Sequence, residues 1–218
     1  MGSATRYLVF YNALSFASWT FLTLRTFVLA SSLWGEGGLH RLYDELLFPY
    51  VAVTQSLAVV EIVHAASGLV RASPTTTAIQ VIGKNLVVWT VMVPFPEIIV
   101  GSDGTGDVGA WGFLGCLVFW SLSEVIKYGY FVVMLSTGDT PAWLKWLRYT
   151  AFIPLYPPGL LSEAWLVYLS LTRMVHVAAW YRFYLFLGLL SYVPASYIMY
   201  THMLSQRRRV MKKQAHQQ

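Results

Sequence analysis

Six stretches of about 20 predominantly apolar residues, the length needed to cross a bilayer's hydrocarbon core, recur along this chain of 218 residues. They run over about 7–33, 46–70, 78–100, 109–135, 147–171 and 181–204. Charged residues make up only 11% of the chain and apolar ones 56%, whereas a soluble domain carries about 25% charged. A water-soluble fold of this size lacks the polar side chains to cover its surface. The expectation is an all-α polytopic membrane protein with six transmembrane helices, forming a single domain over residues 1–218 with a basic tail from about 205. The first stretch lacks a basic leader and a small-residue cleavage site, so it reads as a span rather than a removed signal.

The joins carry turn chemistry: Gly35-Glu36-Gly37-Gly38, Ser73-Pro74-Thr75, Gly101-Ser102-Asp103-Gly104-Thr105-Gly106-Asp107 and Thr137-Gly138-Asp139-Thr140-Pro141. Gly and Pro supply turn geometry there, and the polar residues satisfy exposed backbone. Lys and Arg favour cytoplasmic loops. With the N-terminus inside, the inner set is Arg6, Arg71, Lys84, Lys145, Arg148 and the tail residues Arg207, Arg208, Arg209, Lys212 and Lys213. The outer set is Arg41, Arg173 and Arg182, amid Glu36, Asp44 and Glu45. Both termini are therefore expected in the cytoplasm. The tail follows an apolar segment, as topology anchors do, and does not form the basic folded face of a nucleic-acid reader.

One cysteine, Cys116, excludes an internal disulfide and a Cys-built metal site. The five histidines (His40, His64, His176, His202 and His216) form no HxxxH or HExxH pair, so no metal is expected.

Ionisable residues interrupt spans that Leu, Val and Phe could have filled: Arg25, Glu61, His64, Glu97, Glu124, Lys127 and Glu163. Such groups line a cavity, pair with each other or face a bundle interior. Glu124 and Lys127, three apart, suit an ion pair within one helix as well as a pocket. Arg25 sits near a span's end, where it can snorkel to the interface. Glu61 and His64 suit a polar contact between helices as well as catalysis, and Glu97 follows two prolines at a membrane boundary.

Tyr156 precedes Pro157-Pro158-Gly159, and proline fits a helix's first turn. The expectation is a broken span with Tyr156 at a helix N-terminus, where the dipole favours negative charge. Glu163, seven residues on, falls on roughly the same face. Scarce water disfavours a charged carboxylate while the dipole favours a phenolate, so the two form a candidate acid–base pair.

These residues belong to a longer pattern: Tyr11-Asn12, Val60-Glu61-Ile62-Val63-His64, Gly68-Leu69-Val70-Arg71 and Phe95-Pro96-Glu97. It continues through Trp120-Ser121, Glu124-Val125-Ile126-Lys127-Tyr128, Leu147-Arg148-Tyr149, and Leu155-Tyr156-Pro157 with Gly159, Ser162 and Glu163. In order and spacing the chain resembles the very-long-chain (3R)-3-hydroxyacyl-CoA dehydratases, also called protein-tyrosine-phosphatase-like proteins. The resemblance implies an endoplasmic-reticulum membrane enzyme with six spans, acting at the third step of fatty-acid elongation without a cofactor. Its implied partners are the elongase condensing enzyme, the 3-ketoacyl-CoA reductase and the trans-2-enoyl-CoA reductase, within membrane lipid. It implies Tyr156 and Glu163 as the catalytic pair, with either one as base. Glu61, His64, Glu97, Glu124, Lys127, Tyr128, Arg148 and Tyr149 are the candidate pocket or substrate-binding residues. Arg71, Lys84, Lys145 and Arg148 are candidate contacts for the phosphates of CoA, or topology determinants alone.

The stretch from Val63 to Arg71 is loosely similar to a phosphatase signature, but Ala65 stands where that chemistry needs a nucleophilic cysteine. Phosphatase activity is not expected. A membrane transporter also places charges in spans, but it favours paired broken halves, which the sequence lacks. A non-catalytic scaffold of an elongation complex has no need of the Tyr156–Glu163 pair.

Overall fold

The structure, a computed structural model, describes residues 2–34, 36, 38–102, 104, 106–173 and 176–215, with the side chains of residues 49 and 213–215 undescribed. The turn positions Gly35, Gly37, Asp103 and Thr105, together with His216 and the Lys213 side chain, lie outside the described residues. Among those described there is no strand. The helices are α1 (Ser3–Trp34), α2 (Leu42–Leu46), α3 (Val53–Leu57), α4 (Val60–Ala66) and α5 (Pro74–Val87). They continue as α6 (Glu97–Val100), α7 (Gly109–Thr137), α8 (Ala142–Thr150), α9 (Phe152–Arg173) and α10 (Ala179–Ala215).

Among the described residues, three helices suit a membrane crossing by length and composition: Ser3–Trp34, Gly109–Thr137 and Ala179–Lys212. A bent pair, Leu39–Leu46 with Tyr50–Ala66 at 57°, raises that number to four. The second and third apolar stretches are not single straight helices. Leu47–Ala52 and Val88–Met92 wind as wide π-type turns. The turn at Pro94–Pro96 separates the latter from α6, since proline withholds a backbone donor. Ser73 caps α5 by accepting from the Thr76 N–H at 3.5 Å, with Pro74 in the first turn. Gly138 ends α7 in the left-handed region at φ 80°, its N–H bonded to the Met134 carbonyl.

The expected break at Tyr156 is absent. α9 runs unbroken from Phe152, with Pro157 and Pro158 inside it, and the join to α8 lies at Ala151. The two prolines forgo bonds only to the carbonyls four residues back, in the helix's first turn, and neighbouring membrane helices tolerate that. Tyr156 is thus in a helix body, and the dipole argument for it falls.

Contacts fix the helix directions. Trp34 meets Trp111 edge-on while Tyr11 meets Tyr128, so α1 and α7 are antiparallel. Gly112 packs under Leu166 and Gly159 under Phe119, so α7 and α9 are antiparallel as well. Tyr200 stacks on Tyr156 and Tyr192 bonds Glu163, which sets α10 antiparallel to α9. The start of α1 and the end of α10 therefore share one end of the bundle. Arg6, Arg71, Lys145, Arg148 and Arg207–Arg209 gather at that end. The far end holds the pairs Arg25–Glu45 at 3.1 Å, Arg41–Glu36 at 3.6 Å, and Arg173–Asp107.

The bundle inverts the soluble arrangement. Phe10, Phe21, Leu24 and Val28 of α1, and Phe183, Phe186, Leu190 and Val193 of α10, point outward. Asn12, Gln55, His64, Glu124 and Glu163 are buried. Apolar outer faces suit hydrocarbon as solvent, and Asn12, His64, Glu124 and Glu163 find partners within the protein.

Candidate active site

A cavity of about 880 Å³ lies between α5, α7, α9 and α10. Each wall is a helical stripe. α7 contributes Trp120, Glu124 and Lys127; α9 contributes Tyr156, Gly159 and Glu163; α10 contributes Tyr184, Gly188 and Tyr192. Spacings of three and four put such residues on one face. α7 and α9 approach closely because Gly112, Gly115 and Gly159 leave room: a Cβ on Gly115 would collide with Ser162.

Glu163 is buried, and both its oxygens accept hydrogen bonds. Trp120 Nε1 donates to Oε1 at 2.7 Å, and the Tyr192 hydroxyl donates to Oε2 at 3.3 Å. Tyr156 lines the same cavity about 10 Å along the helix axis, at ~1.5 Å per residue. Its half-buried ring stacks on Tyr200 with centroids 6.1 Å apart and planes at 28°. No hydrogen bond joins Tyr156 to Glu163 among the described residues.

Beside this pair runs a ladder of alternating charge. Lys84 Nζ lies 2.6 Å from Glu124, Glu124 lies 2.5 Å from Lys127, and Lys127 lies 3.0 Å from Glu61. The Tyr128 hydroxyl also bonds Glu61. The two acids and two bases neutralise one another, which is how buried charge is tolerated. Glu124 and Lys127 do form the intrahelical pair their spacing suggests, and they also line the cavity. Lys84 is inside the bundle, paired with Glu124, and does not belong with the loop cations. Its ammonium stands 5.6 Å from the centroid of the Trp120 ring, linking the ladder to the indole that holds Glu163.

Arg148 lines the cavity near the basic end, its guanidinium 6.0 Å from the Phe131 ring centroid and 5.8 Å from that of Tyr149. Of the residues singled out from sequence, Glu61, Glu124, Lys127, Arg148, Tyr156 and Glu163 share the cavity. His64, Glu97, Tyr128 and Tyr149 are not among its lining. His64 bonds the Tyr7 hydroxyl at 2.9 Å and packs edge-on against Tyr7 and Tyr11, a contact between helices. Tyr128 reaches the site through Glu61 and Lys127, and Glu97 opens α6 toward the other end of the bundle.

Sequence reasoning missed Tyr192 and Tyr200, and it quoted Trp120 only as part of a motif. The available signal was the tyrosine-rich inner face of the last span. Among the described residues no group of three or more His, Cys, Asp or Glu converges as a metal site would require.

This chain has relatives of similar length among known proteins. It is 37% identical over 210 residues to a probable very-long-chain (3R)-3-hydroxyacyl-CoA dehydratase of Schizosaccharomyces pombe, covering 96% of this chain and 95% of that protein. It is 33% identical over 220 residues to the very-long-chain (3R)-3-hydroxyacyl-CoA dehydratase PASTICCINO 2 of Arabidopsis thaliana, covering 95% and 93%. It is 30% identical over 221 residues to the very-long-chain (3R)-3-hydroxyacyl-CoA dehydratase 2 of Mus musculus, covering 95% and 82%. No solved structure matches it. The model of one family, described as protein tyrosine phosphatase-like protein, PTPLA, matches residues 55–213. With most of its length inside that match and near-full-length relatives above 30% identity, the chain belongs to the protein tyrosine phosphatase-like (PTPLA) family.

Proposed function

We propose that this protein removes water from very-long-chain (3R)-3-hydroxyacyl-CoA to give the trans-2-enoyl-CoA, with Glu163 as base and Tyr156 as acid. The observation that carries the reading is a buried carboxylate and a phenol on one stripe of one intramembrane cavity. An indole N–H can only donate, so the Glu163 oxygen that faces Trp120 is an acceptor. The two donors hold the Glu163 carboxylate in place, where it can act as the base, and the Tyr156 phenol can act as the acid.

The thioester acidifies the C2–H bond. Glu163 takes that proton, the C2 electron pair forms the C2–C3 double bond, and the C3–O bond breaks. Tyr156 protonates the departing oxygen, which leaves as water. The proton on Glu163 returns to Tyr156 through solvent, which restores both groups. The step needs neither metal nor redox cofactor.

The acyl chain suits the apolar walls of α5 and α10, and the CoA moiety the basic end, where Arg148, Lys145 and Arg71 can meet phosphate. Lys84 is committed to Glu124 and drops out of that set. In the same reading the whole chain is one domain crossing the endoplasmic-reticulum membrane six times. α5 with its wide turn, and α9, are then crossings supported by their neighbours rather than by length and apolarity alone. Both termini face the cytoplasm, a placement supported by their shared basic end. The elongase, the 3-ketoacyl-CoA reductase and the trans-2-enoyl-CoA reductase are the expected neighbours, since they make the substrate and consume the product.

Glu163→Gln and Tyr156→Phe each remove one proton-transfer group and leave shape intact. Each is expected to lower kcat by about 10²-fold or more, as loss of acid–base catalysis does, with folding retained in detergent. Substantial turnover by both variants rules out this assignment.

A further inference from the structure

α10, which also walls the acyl-chain side of the cavity, touches both proposed catalytic groups. We propose that α10 positions the acid–base pair, with the Tyr192 hydroxyl orienting Glu163 and the Tyr200 ring orienting Tyr156. The inference rests on the proposed roles of Glu163 and Tyr156.

A carboxylate held through one oxygen still turns about that bond. Trp120 fixes Oε1 at 2.7 Å. The second donor, Tyr192 at 3.3 Å on Oε2, fixes the carboxylate plane. That bond is long for O–H···O, where about 2.7–2.8 Å is usual. Oε2 is therefore aimed but loosely held, as an oxygen must be if it is to take a proton from substrate. Tyr192 makes no other hydrogen bond among the described residues, so its hydroxyl is committed to Glu163. Beside it, Gly188 has open space where a side chain would stand, so the cavity reaches α10 at this level.

Tyr200 acts differently. It lies flat on Tyr156, and its edge meets Phe152 with centroids 5.7 Å apart. The contact restrains the Tyr156 ring and leaves the hydroxyl free. Tyr192 and Tyr200 are eight residues apart on α10, and Glu163 and Tyr156 seven apart on antiparallel α9. The spacings match, so one helix addresses both groups. Tyr192 must keep its hydroxyl and Tyr200 its ring, which makes two opposite demands on the same kind of residue.

The experiment measures turnover of a long-chain (3R)-3-hydroxyacyl-CoA, and of its C2-deuterated form, by the full-length protein in detergent. Tyr192→Phe is expected to lower kcat by about 10- to 100-fold, the rate equivalent of a hydrogen bond to a charged group. Its KM should stay within about 2-fold, because the interaction matters at the transition state. Its deuterium isotope effect on kcat should rise, because proton removal from C2 becomes slower. Tyr200→Leu is expected to lower kcat by about 10-fold, and Tyr200→Phe to rescue it. A merely structural role leaves the isotope effect unchanged. Wild-type kcat and isotope effect in Tyr192→Phe, or equal impairment in Tyr200→Phe and Tyr200→Leu, overturns the proposal. Glu163→Gln is run alongside: if it is inactive while Tyr192→Phe is normal, only the role of α10 fails. If Glu163→Gln turns over, the reading of the site fails and this proposal with it.

Discussion

Glu163 and Glu124 are both buried carboxylates, but their surroundings give them different work. Glu124 lies between two ammonium groups and its charge is fully answered. Among the described residues Glu163 accepts hydrogen bonds only from neutral donors, and it faces open cavity. Removing the charge of Glu124 leaves Lys84 and Lys127 underpaired inside the bundle. Glu124→Gln is therefore expected to destabilise the fold by about 3–5 kcal/mol, whereas replacing the pair together, Lys84→Met with Glu124→Leu, does less harm. Thermal unfolding in detergent distinguishes these outcomes, and equal losses would remove the ladder's structural role. The motif and its resemblance named Tyr156 and Glu163 because their spacing is local. Tyr192 was not legible, because its partner lies on another helix and no local spacing encodes that contact. The pairing of Lys84, counted with the cytoplasmic-side cations, was not legible for the same reason: α7 brings Glu124 against it.

At the scale of elements, apolar length located the helices but not their breaks. Ser73-Pro74 and Gly138 were legible as helix boundaries, since capping and left-handed geometry are local preferences. The unbroken passage of α9 through Pro157 and Pro158 was not, because what compensates the missing donors is packing against α7 and α10. The small residues carry that packing. Gly115→Leu is expected to force α7 from α9 at Ser162 and lower both thermal stability and activity. Gly188→Ala faces open space and should leave stability unchanged. The comparison reads directly as two unfolding temperatures, and a stable Gly115→Leu would contradict close α7–α9 contact.

At the scale of the molecule, the sequence made a membrane protein unavoidable, because 11% charged residues cannot cover a soluble surface. It overstated the regularity: six apolar stretches correspond to three long apolar helices, a bent pair and two elements that lean on their neighbours. The basic end and the acid-bearing end agree with the charge bias, since both follow from where Lys and Arg fall between apolar segments. Single cysteines at Ser3, Gln206 and Glu36, in a Cys116→Ala background, test the orientation with an impermeant thiol reagent on sealed microsomes. Labelling is expected at positions 3 and 206 from the cytoplasmic face and not at 36. Labelling of 3 and 206 on opposite faces would contradict the arrangement.

The most direct measurement of the reaction is incubation of the purified wild-type protein, alone in detergent, with a long-chain (3R)-3-hydroxyacyl-CoA, following the enoyl thioester as it forms. Dehydration by this protein alone predicts steady formation of trans-2-enoyl-CoA with no added metal, cofactor or partner protein. A folded, monodisperse preparation that forms none would contradict it.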